Sequence, residues 1–298
     1  MDVRTVVTAH LPRYRVDSVA LLGEGQENVA YEVNGELIVR FSKEPDPARR
    51  AAAVDREARL LATVGGISGV PVPAPMFAVP EEGCLAYRKV PGRPLLELPR
   101  AAWTAHGTAI AATLGDLLAA LHAVPVERVA DLVDPDDQPL TEWRDEAAAL
   151  YATVKDEIAA EHHTGIAAFF GAAPPAAGYP LVFSHNDLGI EHVLVDPQAW
   201  TVTGVIDWGD AALVDPAYDF GLLYRDLGRS ALDAALDRYP AAGDGLRERA
   251  AFYARCSVFE DLAYGLAAGR AWYLDKSRTA LDWLFPHLTQ RSQEVDLW

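Results

Sequence analysis

Alternating apolar and polar positions open the chain. Residues 16–22 and 29–33 read as short strands, separated by Gly23-Glu24-Gly25-Gln26-Glu27-Asn28. A tight turn at Asn34-Gly35 joins the second run to residues 36–41, and an Asn-Gly pair between β-rich runs is a strong hairpin signal. The period then changes. Residues 46–64 read as a helix, with Asp46 as its cap, Pro47 at the first helical position, and Val54, Leu60 and Leu61 on one apolar face. A Pro-rich run at 70–75 ends it. A further strand at 84–90 finishes at Pro91-Gly92, which reads as a pivot.

Beyond the pivot the spacing is helical. Residues 101–123 place Ile110, Leu114, Leu117, Leu118 and Leu121 on one side of a long helix, and 141–170 read as a second helical stretch. Residues 182–207 break the pattern. Val193-Leu194-Val195 and the run 202–206, divided by Asp196-Pro197, predict a small hairpin among helices. From 217 onward the chain reads helical again, interrupted near 240–245. The order predicts an α+β protein: a sheet-rich part over 1–90, a hinge at about 86–92, and a helical part over 91–298.

Composition narrows the classes. Of 298 residues half are hydrophobic and about a quarter charged, as in an ordinary globular protein. Cys84 and Cys256 lie far apart without metal-ligand spacing and read as free thiols of a reducing compartment. Residues 1–10 carry no apolar leader, and no run approaches the roughly 20 apolar residues of a membrane span. A cytoplasmic protein without a membrane partner is expected. The formal net charge of −17 repels nucleic acid and attracts cations, besides keeping the chain soluble.

Two segments concentrate acidic residues beside apolar strands. One runs from Ser184-His185-Asn186-Asp187 to Glu191-His192, and the other is Val205-Ile206-Asp207-Trp208-Gly209-Asp210. Phosphoryl transfer needs one carboxylate to take the proton of the attacking hydroxyl. It needs further groups to hold the magnesium that neutralises the nucleotide phosphates. A His-x-Asp turn, a ligand five residues later and a strand ending in Asp-x-Gly supply these parts in order. Each aspartate taken singly reads as a turn or cap residue. The pair of motifs at this spacing points to a kinase.

The two motifs resemble the catalytic core of the aminoglycoside phosphotransferase family, a group distantly similar to the eukaryotic protein kinases. Glu191-His192-Val193-Leu194 and Ile206-Asp207-Trp208-Gly209-Asp210-Ala211 look most like the aminoglycoside 2''-phosphotransferases. Tyr87-Arg88-Lys89-Val90-Pro91-Gly92-Arg93-Pro94-Leu95 and Val258-Phe259-Glu260-Asp261-Leu262-Ala263-Tyr264-Gly265 are also similar to theirs. His192 in place of the usual asparagine occurs in related macrolide kinases as well. The resemblance implies a protein-kinase-like two-lobe fold, with a small antiparallel-sheet N-lobe that binds nucleotide and a larger, mainly helical C-lobe.

Carried over by position, Asp187 is the expected catalytic base, and His192 and Asp207 are the expected Mg2+ ligands. His185 braces the catalytic loop and Asp219 holds its backbone, while Asp210 and Asp215 cap turns. Gly25 and Asn28 belong to the turn over the phosphates of ATP or GTP. Arg40 stands where the family usually has lysine, and Glu57 is its expected partner; Lys43, on the opposite strand face, is the alternative. Tyr87 and Lys89 of the hinge are expected at the purine, with Tyr87 equally readable as a packed strand aromatic. Glu260, Asp261 and Trp272, or Tyr273 in its place, are expected at the acceptor, although a helix tryptophan also reads as core. The implied reaction inactivates an aminoglycoside, a cationic small molecule, with a macrolide, hygromycin-like antibiotic, amino alcohol or metabolite as alternative acceptor. A monomer is expected. A nucleotide-binding pseudokinase is the competing class, favoured by Arg40 and disfavoured by the intact Asp187 and Asp207.

Overall fold

The computed structural model describes residues 2–25, 27–241, 243 and 245–286. The expected turn 23–28 therefore includes one position, Gln26, outside the described residues, as is the end of the expected helical tail beyond 286.

The chain opens with helix α1 (Val3–His10), capped by Asp2, which the sequence reading did not anticipate. Strands β1 (Val19–Glu24), β2 (Asn28–Val33) and β3 (Leu37–Ser42) follow as an antiparallel meander. At the β2–β3 turn Asn34 and Gly35 have φ of 55° and 76°, the left-handed centre of a β-turn closed by the Glu36 N–H on the Val33 carbonyl at 3.1 Å, within the three-residue loop between paired Val33 and Leu37. Helix α2 (Pro47–Gly65) starts as read, with the Asp46 side chain accepting from the Arg49 N–H and Pro47 in the first turn. Strands β4 (Pro75–Val79) and β5 (Cys84–Arg88) complete a five-stranded antiparallel sheet in the order β1-β2-β3-β5-β4.

Strand alternation gives this sheet two different faces. Leu37, Val39, Cys84 and Ala86 point toward α1 and form a small core with Val3, Val6 and Val7. On the other face Leu85 joins Val54, Leu60, Leu61 and Val64 of α2 in the large core that continues into the helices. Arg40, two residues from Ile38 on β3, shares that second face, and so does Tyr87 opposite Ile38 on β5.

The helical part comprises α3 (Arg100–His122), α4 (Leu140–Val154), α5 (His163–Gly171), α6 (Ala217–Leu227), α7 (Arg229–Leu236), α8 (Leu246–Ala268) and α9 (Ala271–Leu284). The single stretch expected over 141–170 is two helices, because short 3-10 turns at 155–157 and 160–162 interrupt it. Helix α8 packs against α4, α6 and α9. Short strands carry the catalytic segments: β6 (Arg93–Pro94), β8 (Val193–Val195) and β9 (Val202–Val205) form one small sheet, and β7 (Val182–Ser184) pairs with β10 (Ala212–Val214). The expected hairpin at 193–206 is thus present. The α+β class and the antiparallel sheet followed by a helical region match the sequence reading. No helix among the described residues is long and apolar enough to cross a membrane.

Candidate active site

Ile206 joins the two acidic segments. Its N–H donates to the His192 carbonyl at 3.0 Å, and its own carbonyl accepts from His185 Nε2 at 3.0 Å. The β8–β9 pairing therefore sets Asp207 beside the loop that carries Asp187. The His192 ring stands between the two carboxylates, with Nε2 3.1 Å from Asp187 Oδ2 and Nδ1 3.8 Å from Asp207 Oδ2. Burial works against a charged His192 ring, but the Asp187 hydrogen bond and the charges of Asp187, Glu191 and Asp207 push its pKa up to about 9. Asn186 and Asp207 adopt left-handed backbone, φ 63° and 64°, in the residue types that best tolerate it.

Asp219 fastens the loop from below. Its carboxylate accepts from the Ser184 hydroxyl, from the Asn186 N–H at 2.9 Å and from the Leu188 N–H at 3.0 Å. His185, fully buried against Trp208, is lowered in pKa by burial, so it braces the loop as a neutral ring. Asp215 does more than cap: it accepts from the Ala217 N–H and pairs with buried Arg249 at 2.8 Å. Asp210 makes no capping bond among the described residues and instead lines the pocket over Asp187.

On the sheet side Arg40 donates to Glu57 Oε1 at 2.6 Å, across the gap between β3 and α2. Burial raises the Glu57 carboxyl against the pull of Arg40, and Asp207 contributes to the same shift, so this pair faces the acidic segment. Tyr87 packs against the large core, and its hydroxyl interacts with Arg40. Lys43 is turned elsewhere, paired with Glu24 at 2.6 Å and donating to the Gly25 carbonyl at 2.9 Å. Asn28 closes the same turn, its carbonyl accepting from the Gly25 N–H at 2.9 Å. Lys89 departs from expectation: its side chain is tied to Glu32 and its N–H is spent on the Glu36 carbonyl at 2.8 Å, so neither group is free for a purine.

A cavity of about 390 Å³ opens beside Asp187 and is walled by Trp143, Tyr218, Tyr264 and Tyr273, with Glu260 at its rim. Burial raises the Glu260 carboxyl, Arg225 opposes the shift, and the charges of Asp187 and Asp210 add to it. Asp261 lies deeper and is already matched by Arg225 at 3.1 Å and Lys276 at 2.9 Å. Trp272 is a correction. It is 55% exposed and lines a separate groove with Trp103 and His162, while its neighbour Tyr273 faces the catalytic pocket. Adjacent side chains on a helix point about 100° apart, and apolar spacing alone does not say which one faces inward. Trp143, Tyr218, Glu191, Arg225 and Lys276 were not read as site residues. Trp143 and Lys276 come from helices distant in sequence, while Glu191, next to His192, carried the one local signal.

Among the described residues no group of three His, Cys, Asp or Glu is arranged to hold a metal by itself. Asp207 supplies the oxygen donor that magnesium favours in a nucleotide complex, and His192 could join it only by giving up the proton that the neighbouring carboxylates hold on its ring. That ion keeps several waters and takes one or two side chains plus phosphate oxygens.

Residues 18–253 match the model of the Phosphotransferase enzyme family. The GDP and kanamycin complex of APH(2")-IIIa superposes with a TM-score of 0.66, 24% identity and 98% of each chain covered. Macrolide 2'-phosphotransferase MphH from Brachybacterium faecium superposes with a TM-score of 0.62 and 24% identity, over 93% of this chain and 97% of that one. At such identities the likeness is one of fold. An uncharacterized protein of Bacillus subtilis, YcbJ, is 41% identical over 59 residues, and this match spans 20% of the chain and only 19% of that relative. By its family match, its fold and the joined acidic segments at its centre, the chain belongs to the phosphotransferase enzyme family.

Proposed function

We propose that the protein is a kinase that moves the γ-phosphate of ATP or GTP to a hydroxyl of a cationic, amine-bearing acceptor, of the kind that aminoglycosides and macrolides exemplify. The observation that carries the reading is His192 standing between the carboxylates of Asp187 and Asp207, next to an acceptor-sized cavity with Glu260 at its rim. Nucleotide binding is assigned to residues 1–90, catalysis and the acceptor to 91–298, with the hinge at about 86–92.

Asp187 accepts the proton of the acceptor hydroxyl as its oxygen forms the new O–P bond. The bond from the γ-phosphorus to the bridging oxygen breaks, and the nucleoside diphosphate leaves. His192 keeps the Asp187 carboxylate oriented by its 3.1 Å contact. Arg40, steadied by Glu57, meets the phosphates as a fork of donors. Gly25 and Asn28 cover them, and Tyr87 borders the base end beside Arg40. His192 and Asp207 would hold Mg2+, which supplies charge neutralisation at the phosphates. Transfer is direct, and catalysis comes from positioning and charge. Two buried free thiols fit a reducing, cytoplasmic setting, and a monomer is proposed.

Aminoglycosides are the first acceptors to test. The four aromatic rings of the cavity favour macrolides as the second class. A coupled assay of ATP and GTP turnover with magnesium, across both drug classes, checks the reading. Drug-stimulated turnover is expected; nucleotide binding with no stimulation by any acceptor would contradict it.

A further inference from the structure

Five carboxylates line the cavity beside Asp187, a number that by itself suits a polycation. Three are already matched from within the protein. Asp187 faces the His192 ring at 3.1 Å. Lys276 of α9, with its side chain wholly buried, reaches Glu191 at 2.9 Å and Asp261 at 2.9 Å. Arg225 of α6 reaches Asp261 at 3.1 Å and holds Asp226 at 2.7 Å, and Asp226 lies 3.5 Å from Lys276. Two buried cations thus stand against three buried carboxylates, and each member needs the others to remain ionised. Burial, opposed by Arg225 and Lys276, pushes the Asp261 carboxyl up to about 6. It is therefore the member readiest to give up the surplus charge.

The other two carboxylates, Asp210 and Glu260, differ in place. The Asp210 carboxyl interacts with Asp187 and Asp207 and belongs to the phosphate end. Glu260 lies one turn from Tyr264 on α8, and the Tyr264 ring packs edge-on against Tyr273 at 4.8 Å. A carboxylate beside aromatic faces suits a single ammonium group.

Building on the phosphotransferase reading, we propose that Lys276 determines acceptor specificity. By neutralising Glu191 and Asp261 from beneath the cavity, it leaves Glu260 as the carboxylate that meets the acceptor. The cavity then selects hydroxyl compounds that carry one ammonium group near the reacting hydroxyl, over acceptors crowded with several. The volume of about 390 Å³ fits such a compact compound, or one amino-sugar ring of a larger one.

The test uses the full chain with magnesium and ATP or GTP, assayed for diphosphate release from low to high salt. One acceptor set carries a single amine (amino sugars and amino alcohols), and the other is polyamino, kanamycin-like. The single-amine set is expected to give the higher kcat/KM, with a KM that changes little with salt. Glu260→Gln raises its KM about tenfold while kcat is little changed, as expected for one lost charge-assisted bond. Lys276→Met, verified as folded by circular dichroism, removes the cation paired with Glu191, leaves Asp261 to Arg225, and shifts preference toward the polyamino set. Should Lys276→Met not fold, the wild-type panel and Glu260→Gln decide on their own. A wild-type preference for the polyamino set with steeply salt-dependent KM, or an unmoved KM in Glu260→Gln, overturns the proposal. Failure of every acceptor with nucleotide still bound strikes the phosphotransferase reading instead.

Discussion

The His192 ring is the residue-scale hub, because both flanking carboxylates raise its pKa from 6.5 to about 9. A histidine raised in the fold lends stability that is complete below about pH 6.5 and is lost as pH rises through about 9. Each unit is worth roughly 1.4 kcal/mol, so the ceiling is about 3 kcal/mol. Thermal unfolding of the nucleotide-free protein is expected to show its midpoint falling across that window, and His192→Asn is expected to flatten the fall. Arg40 carries a second prediction. Arg40→Ala should raise the nucleotide KM by roughly 10- to 100-fold, the loss of a bidentate charged contact, whereas Arg40→Lys keeps part of it. Steady-state kinetics at fixed acceptor check both. That Asp187, His192 and Asp207 meet, and that Arg40 pairs with Glu57, was legible because motif spacing fixes them relative to one another. Lys89 and Trp272 were misplaced because their neighbours in space, Glu32 and the α3–α9 groove, come from other parts of the chain.

At the scale of elements, close approach of backbones decides where glycine is needed. A Cβ on Gly115 of α3 would sit 2.3 Å from the Ala235 carbonyl oxygen on α7, which has no room to move away. Gly115→Ala is expected to cost roughly 1–3 kcal/mol by forcing the two helices apart, and urea unfolding would register it as a lower midpoint. Gly92 behaves similarly beside the expected hinge: its φ is 114°, and a Cβ would meet Thr203 Oγ1 at 2.1 Å. Most helices and the β2–β3 hairpin were legible from period and turn chemistry. Strands β7 and β10 were not, since three residues, all or nearly all buried, are too few for an alternation to show. Helix α1 escaped because its two turns show only Val3, Val6 and Val7 as an apolar face. Strand β4 was absorbed into the Pro-rich run before it.

On the scale of the whole molecule, two cores divide the labour. A small one seats α1 on the outer face of the sheet, and a large one runs from α2 through the helices. Arg40 and Glu57 border the large core, which keeps the phosphate contacts proposed for the sheet in register with the loop that carries Asp187. The net charge of −17 surrounds this site with a field that draws cations. Association rates should therefore fall with ionic strength steeply for polyamino cations and only slightly for single-amine acceptors, and stopped-flow binding across a salt series would register the difference.

The proposed chemistry turns on Asp187 taking the acceptor proton in a direct phosphoryl transfer. The most direct measurement pairs the turnover of Asp187→Asn with its nucleotide affinity, using an acceptor that stimulates the wild type. Turnover is expected to fall by roughly 10²- to 10⁴-fold, the usual worth of a general base, with nucleotide affinity nearly unchanged. Turnover close to wild type in Asp187→Asn would contradict it.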